Sequence, residues 1–214
     1  MKDKQFNIEK YHYFNWENPK ITTRKTILND QKACLRRCED LLKKMKMKGE
    51  SVFTDPDFGP IDKDDLAQDS LYFEDIPPGY PLPQNMRWLR LNQISQKKRP
   101  EFIDDGAATN DVIQGALGDC WFIGALSVLA TEDAYIRGSF DPDKDTDGEI
   151  SNYEAKGMTS GVYPPMFHYL RKYGMYVFRF FKNYRWRYVI IDDRVPCYKR
   201  GYGEPEIVFG KCRS

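Results

Sequence analysis

Gln114-Gly115-Ala116-Leu117-Gly118-Asp119-Cys120-Trp121-Phe122 decides how this chain is read. From Trp121 to Ala130 every residue is apolar except Gly124 and Ser127, so the segment reads as a buried helix. Gly118 and Asp119 are turn formers placed where the chain would enter that helix. A thiol in a first helical turn faces unpaired backbone N–H groups and the positive end of the macrodipole. Both favour the thiolate, which is the nucleophilic form. Gln114 stands six residues before Cys120 on a Gly-rich loop. Its side-chain amide can point at a developing oxyanion, a role worth roughly 3–4 kcal/mol of transition-state stabilisation where it has been measured. A buried cysteine that only packs is the common alternative for this residue type. The Gln, the Gly-Asp turn and the following Trp favour the nucleophile.

At these residues the chain resembles the calpain family, papain-like cysteine proteases of the cytosol. The resemblance rests on Gln114, Gly115, Leu117, Gly118, Asp119, Cys120, Trp121 and Phe122. It extends upstream through Trp88-Leu89-Arg90 and Phe102-Ile103-Asp104-Asp105-Gly106-Ala107, and further through Phe53-Thr54-Asp55-Pro56-Asp57-Phe58 and Ser70-Leu71. Downstream it takes in Gly174 and the run 186–195 with Ile190-Ile191-Asp192-Asp193, so that it spans about 53–214. It implies that Cys120 is the nucleophile, that Gln114 is the oxyanion-hole donor, and that the reaction is calcium-dependent endopeptidase cleavage through an acyl-enzyme. The implied fold is α+β: the Cys-bearing, helix-rich N-terminal lobe of a two-lobe papain-like protease with a small β-hairpin, preceded by a helical N-terminal extension. The implied division is 1–50 for the extension and 51–214 for the catalytic domain.

The chain departs from the family in its histidines. Papain-type catalysis uses a His base and an orienting Asn some 130–150 residues after the Cys, whereas position 214 lies 94 residues after position 120. The two histidines are His12, which precedes the matching region, and His168. His168 falls in Tyr163-Pro164-Pro165-Met166-Phe167-His168, a short helix with Pro in its first turn, and reads as a packed or solvent-facing residue. The catalytic domain is therefore expected to be incomplete, cut before the His/Asn lobe, with that lobe supplied in cis or in trans. Whether the chain is itself an enzyme is left open. The rival reading is a non-proteolytic scaffold or binding module that reuses a protease lobe.

Composition restricts the class. The 33 basic and 32 acidic side chains give a net charge of +1, which argues against nucleic acid as a partner and leaves a protein or peptide substrate, or a protein partner. No apolar run approaches a membrane span, and the N-terminus has no apolar signal region. Five cysteines, at 34, 38, 120, 197 and 212, are an odd number at unrelated spacings, as in a reduced cytoplasmic protein.

The extension carries an aromatic cluster, Tyr11, Tyr13, Phe14 and Trp16, expected to dock on the core or on a partner. Thr26 or Asn29-Asp30 is expected to cap a helix running to Lys48 and closed by Gly49. Leu28, Leu35, Cys38, Leu42 and Met45 form one apolar stripe on this basic helix, which suits packing on its own domain, a membrane surface or a partner helix. Residues 51–110, punctuated by prolines, read as an ordered wrap around the core. Tyr176 to Phe181 and Arg187 to Ile191 read as a hairpin, and Ile207-Val208-Phe209 as the start of a further strand.

Calcium enters twice. Asp143, Asp145, Asp147, Gly148, Glu149 and Glu154 fit the twelve-residue loop Asp-x-Asp-x-Asp-Gly-x5-Glu, although Gly138, Pro142 and Gly157 disfavour the flanking helices. The family resemblance implies a different Ca²⁺ site, built from the carbonyls of Asp104 and Gly106 and the carboxylate of Asp111, with a further carboxylate beyond Ser214.

Overall fold

A computed structural model describes residues 24–58, 86–94, 111–115, 118–132, 135–136, 161–182, 185–199 and 205–212. Mixed α and β elements build it. Helix α1 spans Arg24–Met47, strand β1 Arg87–Arg90, the single turn α2 Leu91–Ile94, β2 Val112–Ile113 and α3 Cys120–Leu129. A 3-10 helix, Pro165–Tyr173, follows, then β3 Met175–Lys182, β4 Arg185–Asp192, β5 Arg194–Lys199, β6 Pro205–Ile207 and β7 Lys211–Cys212.

The apolar stripe of α1 makes it part of the core. Cys34, Leu35, Cys38, Leu42 and Met45 are all buried, and they form one cluster with Met166, Phe167 and Leu170 of the 3-10 helix and Met175 and Val177 of β3. Of the three settings that suited the stripe, packing on its own domain is the one observed. The helix ends as Gly49 predicts. Gly49 takes φ 74°, its N–H donates to the Lys46 carbonyl at 3.0 Å, and the Glu50 N–H donates to the Met45 carbonyl at 3.1 Å. This pair of bonds is the Schellman closure.

The β3–β4 hairpin is the central plate. Its antiparallel register runs from Met175↔Asp192 to Lys182↔Arg185, so each strand extends beyond the apolar run that announces it in the sequence. Alternation places Met175, Val177, Tyr188 and Ile190 on one face, where α1 and the 3-10 helix cover them. The opposite face carries Tyr176, Phe178 and Phe180. Tyr163 lies 6.1 Å from Tyr176 and 5.6 Å from Phe178, centroid to centroid, and Phe180 lies 6.0 Å from Phe122 of α3.

Two smaller sheets follow. Strands β1, β5 and β6 form an antiparallel sheet over a cluster of Met86, Trp88 and Val208. Strand β2 pairs with β7, Val112 opposite Cys212 and Ile113 opposite Lys211. The expected strand at 207–209 occurs earlier, as β6, and Val208-Phe209 instead bend away towards β7.

A polar knot joins hairpin to sheet. Asp192, buried at the end of β4, accepts from the Asp55 N–H at 2.8 Å and from the Arg194 N–H and Nε at 2.9 and 2.8 Å. The Arg90 guanidinium pairs with Asp193 and donates to the Phe53 carbonyl at 3.0 Å and to Thr54 Oγ1 at 2.9 Å. Residues 53–55, the first stretch of the resembling region, are thereby fixed to β1 and to the β4–β5 junction.

Candidate active site

The site begins at β2. Ile113 leads into Gln114 and Gly115, and the chain re-enters regular structure at Cys120, the first residue of α3. Gly115 is where this segment meets the C-terminal strands. A Cβ there would lie 2.3 Å from the Val208 carbonyl oxygen and 2.4 and 2.5 Å from the Phe209 carbonyl carbon and Cα. Two backbones touch at that point, and only glycine permits it. Gly210 makes a second close approach, with Ile123 Cδ1 of α3 at 3.1 Å from the position of an added Cβ. The β2–β7 ribbon and the 208–210 bend thus hold both ends of the segment that carries Gln114 and Cys120. The sequence singles out Gln114 and Cys120 but passes over Gly115 and Gly210 as positioning residues. The glycine directly after Gln114 was the available signal.

At its N-terminus α3 is capped by backbone alone. The Asp119 carbonyl accepts from the Phe122 and Ile123 N–H groups at 2.9 and 3.0 Å. The Asp119 side chain makes no capping bond; its Oδ1 is buried without a hydrogen-bond partner among the described residues. The N–H groups of Cys120 and Trp121 belong to the orphan donors that open every helix. Cys120 thus stands in the first turn of α3 beside these donors.

Exposure separates this thiol from the others. Cys34, Cys38 and Cys197 are buried free thiols, whereas Cys120 is exposed. The Cys34 thiol is pushed up by its hydrogen bond with Cys38 and by burial. Burial pushes Cys197 up to about 11. Those two hold their protons at neutral pH and are inert as nucleophiles. Among the cysteines whose side chains are described, Cys34, Cys38, Cys120 and Cys197, the accessible one is Cys120.

The body of α3 corrects an expectation. The segment forms a helix as predicted, yet none of its residues from Cys120 to Leu129 is buried. Trp121 is 75% exposed and Val128 68% exposed. Among the described residues it meets β2, Gly210 through Ile123 and Phe180 through Phe122, while Trp121, Gly124, Ala125 and Val128 form an exposed face. A helix that is apolar all round needs cover on every side to be buried. Trp121 stands beside Phe122, ring centroids 5.7 Å apart, on the uncovered side.

His168 is a packed residue. It lies on the 3-10 helix, its Nε2 donates to the Tyr163 carbonyl at 3.0 Å, and its ring stacks on that of Tyr163 at 4.0 Å. This fixes the ring within the helix that carries it and matches the structural reading of its sequence position.

Of the expected calcium ligands, Asp111 is described. It is partly buried in the bend just before β2, three residues ahead of Gln114. Asp104 and Gly106 lie outside the described residues, as do Asp143, Asp145, Asp147, Glu149 and Glu154 of the acidic loop and the aromatic cluster at 11–16. Among the described residues no group of three or more His, Cys, Asp or Glu side chains could hold a metal ion. Among them, too, no helix is long and apolar enough to cross a membrane.

Comparison with known proteins gives a consistent match. The profile of the calpain family of cysteine proteases matches residues 53–213. Calpain clp-1 of Caenorhabditis elegans is 30% identical over 151 residues, covering 70% of this chain and 15% of that protein. Human calpain-8 is 28% identical over 145 residues, covering 68% of this chain and 16% of its own length. The calpain-type cysteine protease DEK1 of Zea mays is 26% identical over 187 residues, covering 86% of this chain and 7% of that protein. The chain therefore spans less than a fifth of the length of these curated relatives.

Proposed function

The chain belongs to the calpain family of cysteine proteases, and from that premise we propose that it carries the nucleophile half of a cysteine endopeptidase, with Cys120 as the attacking thiol. One observation supports this above the others: Cys120 is the exposed first residue of a helix, on a segment held from both sides by the β2–β7 ribbon and the 208–210 bend. In the proposed reaction the Cys120 sulfur attacks a peptide carbonyl carbon. The oxyanion is met by the Gln114 amide and first-turn N–H groups, the amine leaves with a proton, and water hydrolyses the thioester. The base is a histidine from a second, His/Asn-bearing lobe, in cis beyond this sequence or in trans. The described elements form the Cys lobe of that two-lobe arrangement, and the uncovered side of α3 supports a partner surface there.

Calcium dependence belongs to the same reading. Asp111, with the carbonyls of Asp104 and Gly106, offers the all-oxygen donor set that a hard cation prefers. A cation there would neutralise charge and stiffen the bend that leads into Gln114. The proposed setting is the cytoplasm, and the proposed partners are protein or peptide substrates.

The test is mass-resolved alkylation of the whole chain, followed by mixing with a calpain His/Asn lobe. One rapid adduct at Cys120, absent in Cys120→Ala, and peptide cleavage that appears only on mixing are the expected results. Equal labelling of Cys120→Ala, or cleavage by a mixture containing that variant, would overturn the assignment. A Cys120 that stays unreactive while the chain still binds proteins would instead favour the scaffold reading.

A further inference from the structure

Two buried thiols stand one turn apart on helix α1. Cys34 and Cys38 share a face, both are free, and they are 8% and 0% exposed. They lie within hydrogen-bond reach of each other. Both precede residues 53–213, the stretch that matches the family profile. Their surroundings are rich in sulfur. Met45, Met166 and Met175 belong to the same buried cluster, so five of its eleven buried residues carry a sulfur atom, and none is a His, Asp or Glu. A donor set without oxygen is unsuited to calcium or magnesium. Two thiols with no further Cys or His also leave a four-coordinate zinc site unfilled. Thiolate and thioether donors select soft copper(I).

A second observation comes from the hairpin. Arg179 of β3 is 8% exposed, and its guanidinium lies 3.9 Å from the centroid of the Trp186 ring. Among the described residues no carboxylate pairs with it. Its Nε is buried without a hydrogen-bond partner, and so is the hydroxyl of Tyr188, its neighbour in the register. Tyr188 packs against the α1-side cluster, and its phenol senses both the Arg179 charge and the Cys34 thiol. An arginine keeps its charge when buried, and removing a buried charge's partner is strongly destabilising. Packing as small apolar groups accounts for two buried cysteines. It leaves the cation beside them uncompensated.

We propose that Cys34 and Cys38 bind a single copper(I) ion as a two-coordinate bis-thiolate. Each thiol gives its proton to solvent as the ion enters. No electron is transferred, and the neutral dithiol becomes a complex with one net negative charge. Arg179, which meets the same tyrosine, supplies the compensating charge. A thiol that burial keeps protonated against solvent is still deprotonated by a coordinating metal. The apolar side chains around the pair limit access of water to the ion.

The experiment is anaerobic titration of the whole chain with copper(I) against a competing copper(I) chelator. Cys120→Ser and Cys212→Ser in the titrated chain remove the thiols of the nucleophile motif and of β7, so the result is independent of the assignment of Cys120. Expected are saturation at one ion per chain, sulfur as the only donor by X-ray absorption, a raised melting temperature and weaker binding as pH falls. Zinc(II) should leave the melting temperature unchanged. In this background Cys34→Ser and Cys38→Ser should each weaken binding by more than about a hundredfold, beyond the loss typical of a supporting group. Cys197→Ser, which removes a buried thiol elsewhere, should leave it intact. Arg179→Gln should weaken it by about tenfold at the same stoichiometry. Far-UV circular dichroism confirms that each variant is folded, and the donor set and the melting shift are read with both thiols in place. No saturable binding, nitrogen or oxygen donors on the ion, or binding undiminished in Cys34→Ser and Cys38→Ser would overturn the proposal. Unchanged affinity in Arg179→Gln would overturn the counter-ion role.

Discussion

Helix α1 and helix α3 use apolar residues in opposite ways. In α1 they are a minority, and the stripe of Cys34, Leu35, Cys38, Leu42 and Met45 is buried against the 3-10 helix and β3. In α3 they are nearly the whole helix, and none of its residues is buried. Apolar content does not decide burial; geometry does. A stripe can be satisfied by one neighbour, whereas a helix apolar on all sides needs several, and among the described residues β2, Gly210 and Phe180 leave one face of α3 exposed. The same asymmetry separates the cysteines. Cys34 and Cys38 are sealed on the buried face of α1, while Cys120 is accessible at the head of α3.

The contrast breaks most visibly under truncation. Phe167 is fully buried in the α1-side cluster, so Phe167→Ala should cost about 3–5 kcal/mol. Trp121→Ala, which removes a larger but 75% exposed ring from α3, should change stability by less than about 0.5 kcal/mol. Urea denaturation of both variants checks this, and similar losses would show that α3 is as well covered as α1.

Gly115→Ala sharpens the comparison on the α3 side. The added methyl meets the Val208–Phe209 backbone inside contact distance and must displace it, at a cost of about 1–3 kcal/mol. Because this contact positions the Gln114–Cys120 segment, alkylation of Cys120 should slow in the same variant, while the α1 core stays intact by hydrogen exchange. Loss of protection across α1 instead would mean that the two regions are one cooperative unit.

On the α1 side, Gly49→Ala tests the helix closure. Nothing lies near the new methyl, so the cost is the left-handed backbone alone, about 1 kcal/mol, read as a fall in melting temperature.

The smallest effect concerns Asp55, in the polar knot that ties the start of the family region to the hairpin. Burial, partly offset by the Asp57 N–H, raises its carboxyl above the ordinary value, and the nearby Asp192 charge adds to the rise. A carboxyl raised in the folded state binds more protons there than in the unfolded chain. Its contribution is therefore fully present below the ordinary value of 3.8 and is lost as pH rises through the folded value. Asp55→Asn should flatten the stability–pH curve just above that value and slightly raise stability at neutral pH. An unchanged curve would mean that Asp55 is solvated.

Local chemistry makes much of the molecule legible in its sequence. The period of Leu35, Cys38, Leu42 and Met45, with Gly49 after it, specified the body and end of α1 but not its start, since Thr26, Asn29 and Asp30, expected as caps, lie inside the helix. The β-branched and aromatic runs around 183–184 specified the hairpin, and the Gly-Asp turn placed Cys120 at the head of α3. Tertiary contacts carried the rest, because they join residues that no sequence window holds together. The touch of Gly115 on the Val208–Phe209 backbone, the knot of Arg90 with Asp193 and residues 53–54, and the meeting of Lys46 with Lys172 over Tyr173 are of this kind.

The sequence by itself determined the family, the nucleophile candidate at Cys120 and its oxyanion donor candidate at Gln114, because a motif is a local arrangement of residue types. Only the tertiary structure decided which thiols are sealed and that α3 lies uncovered, because burial depends on what packs against a segment and not on how apolar that segment is.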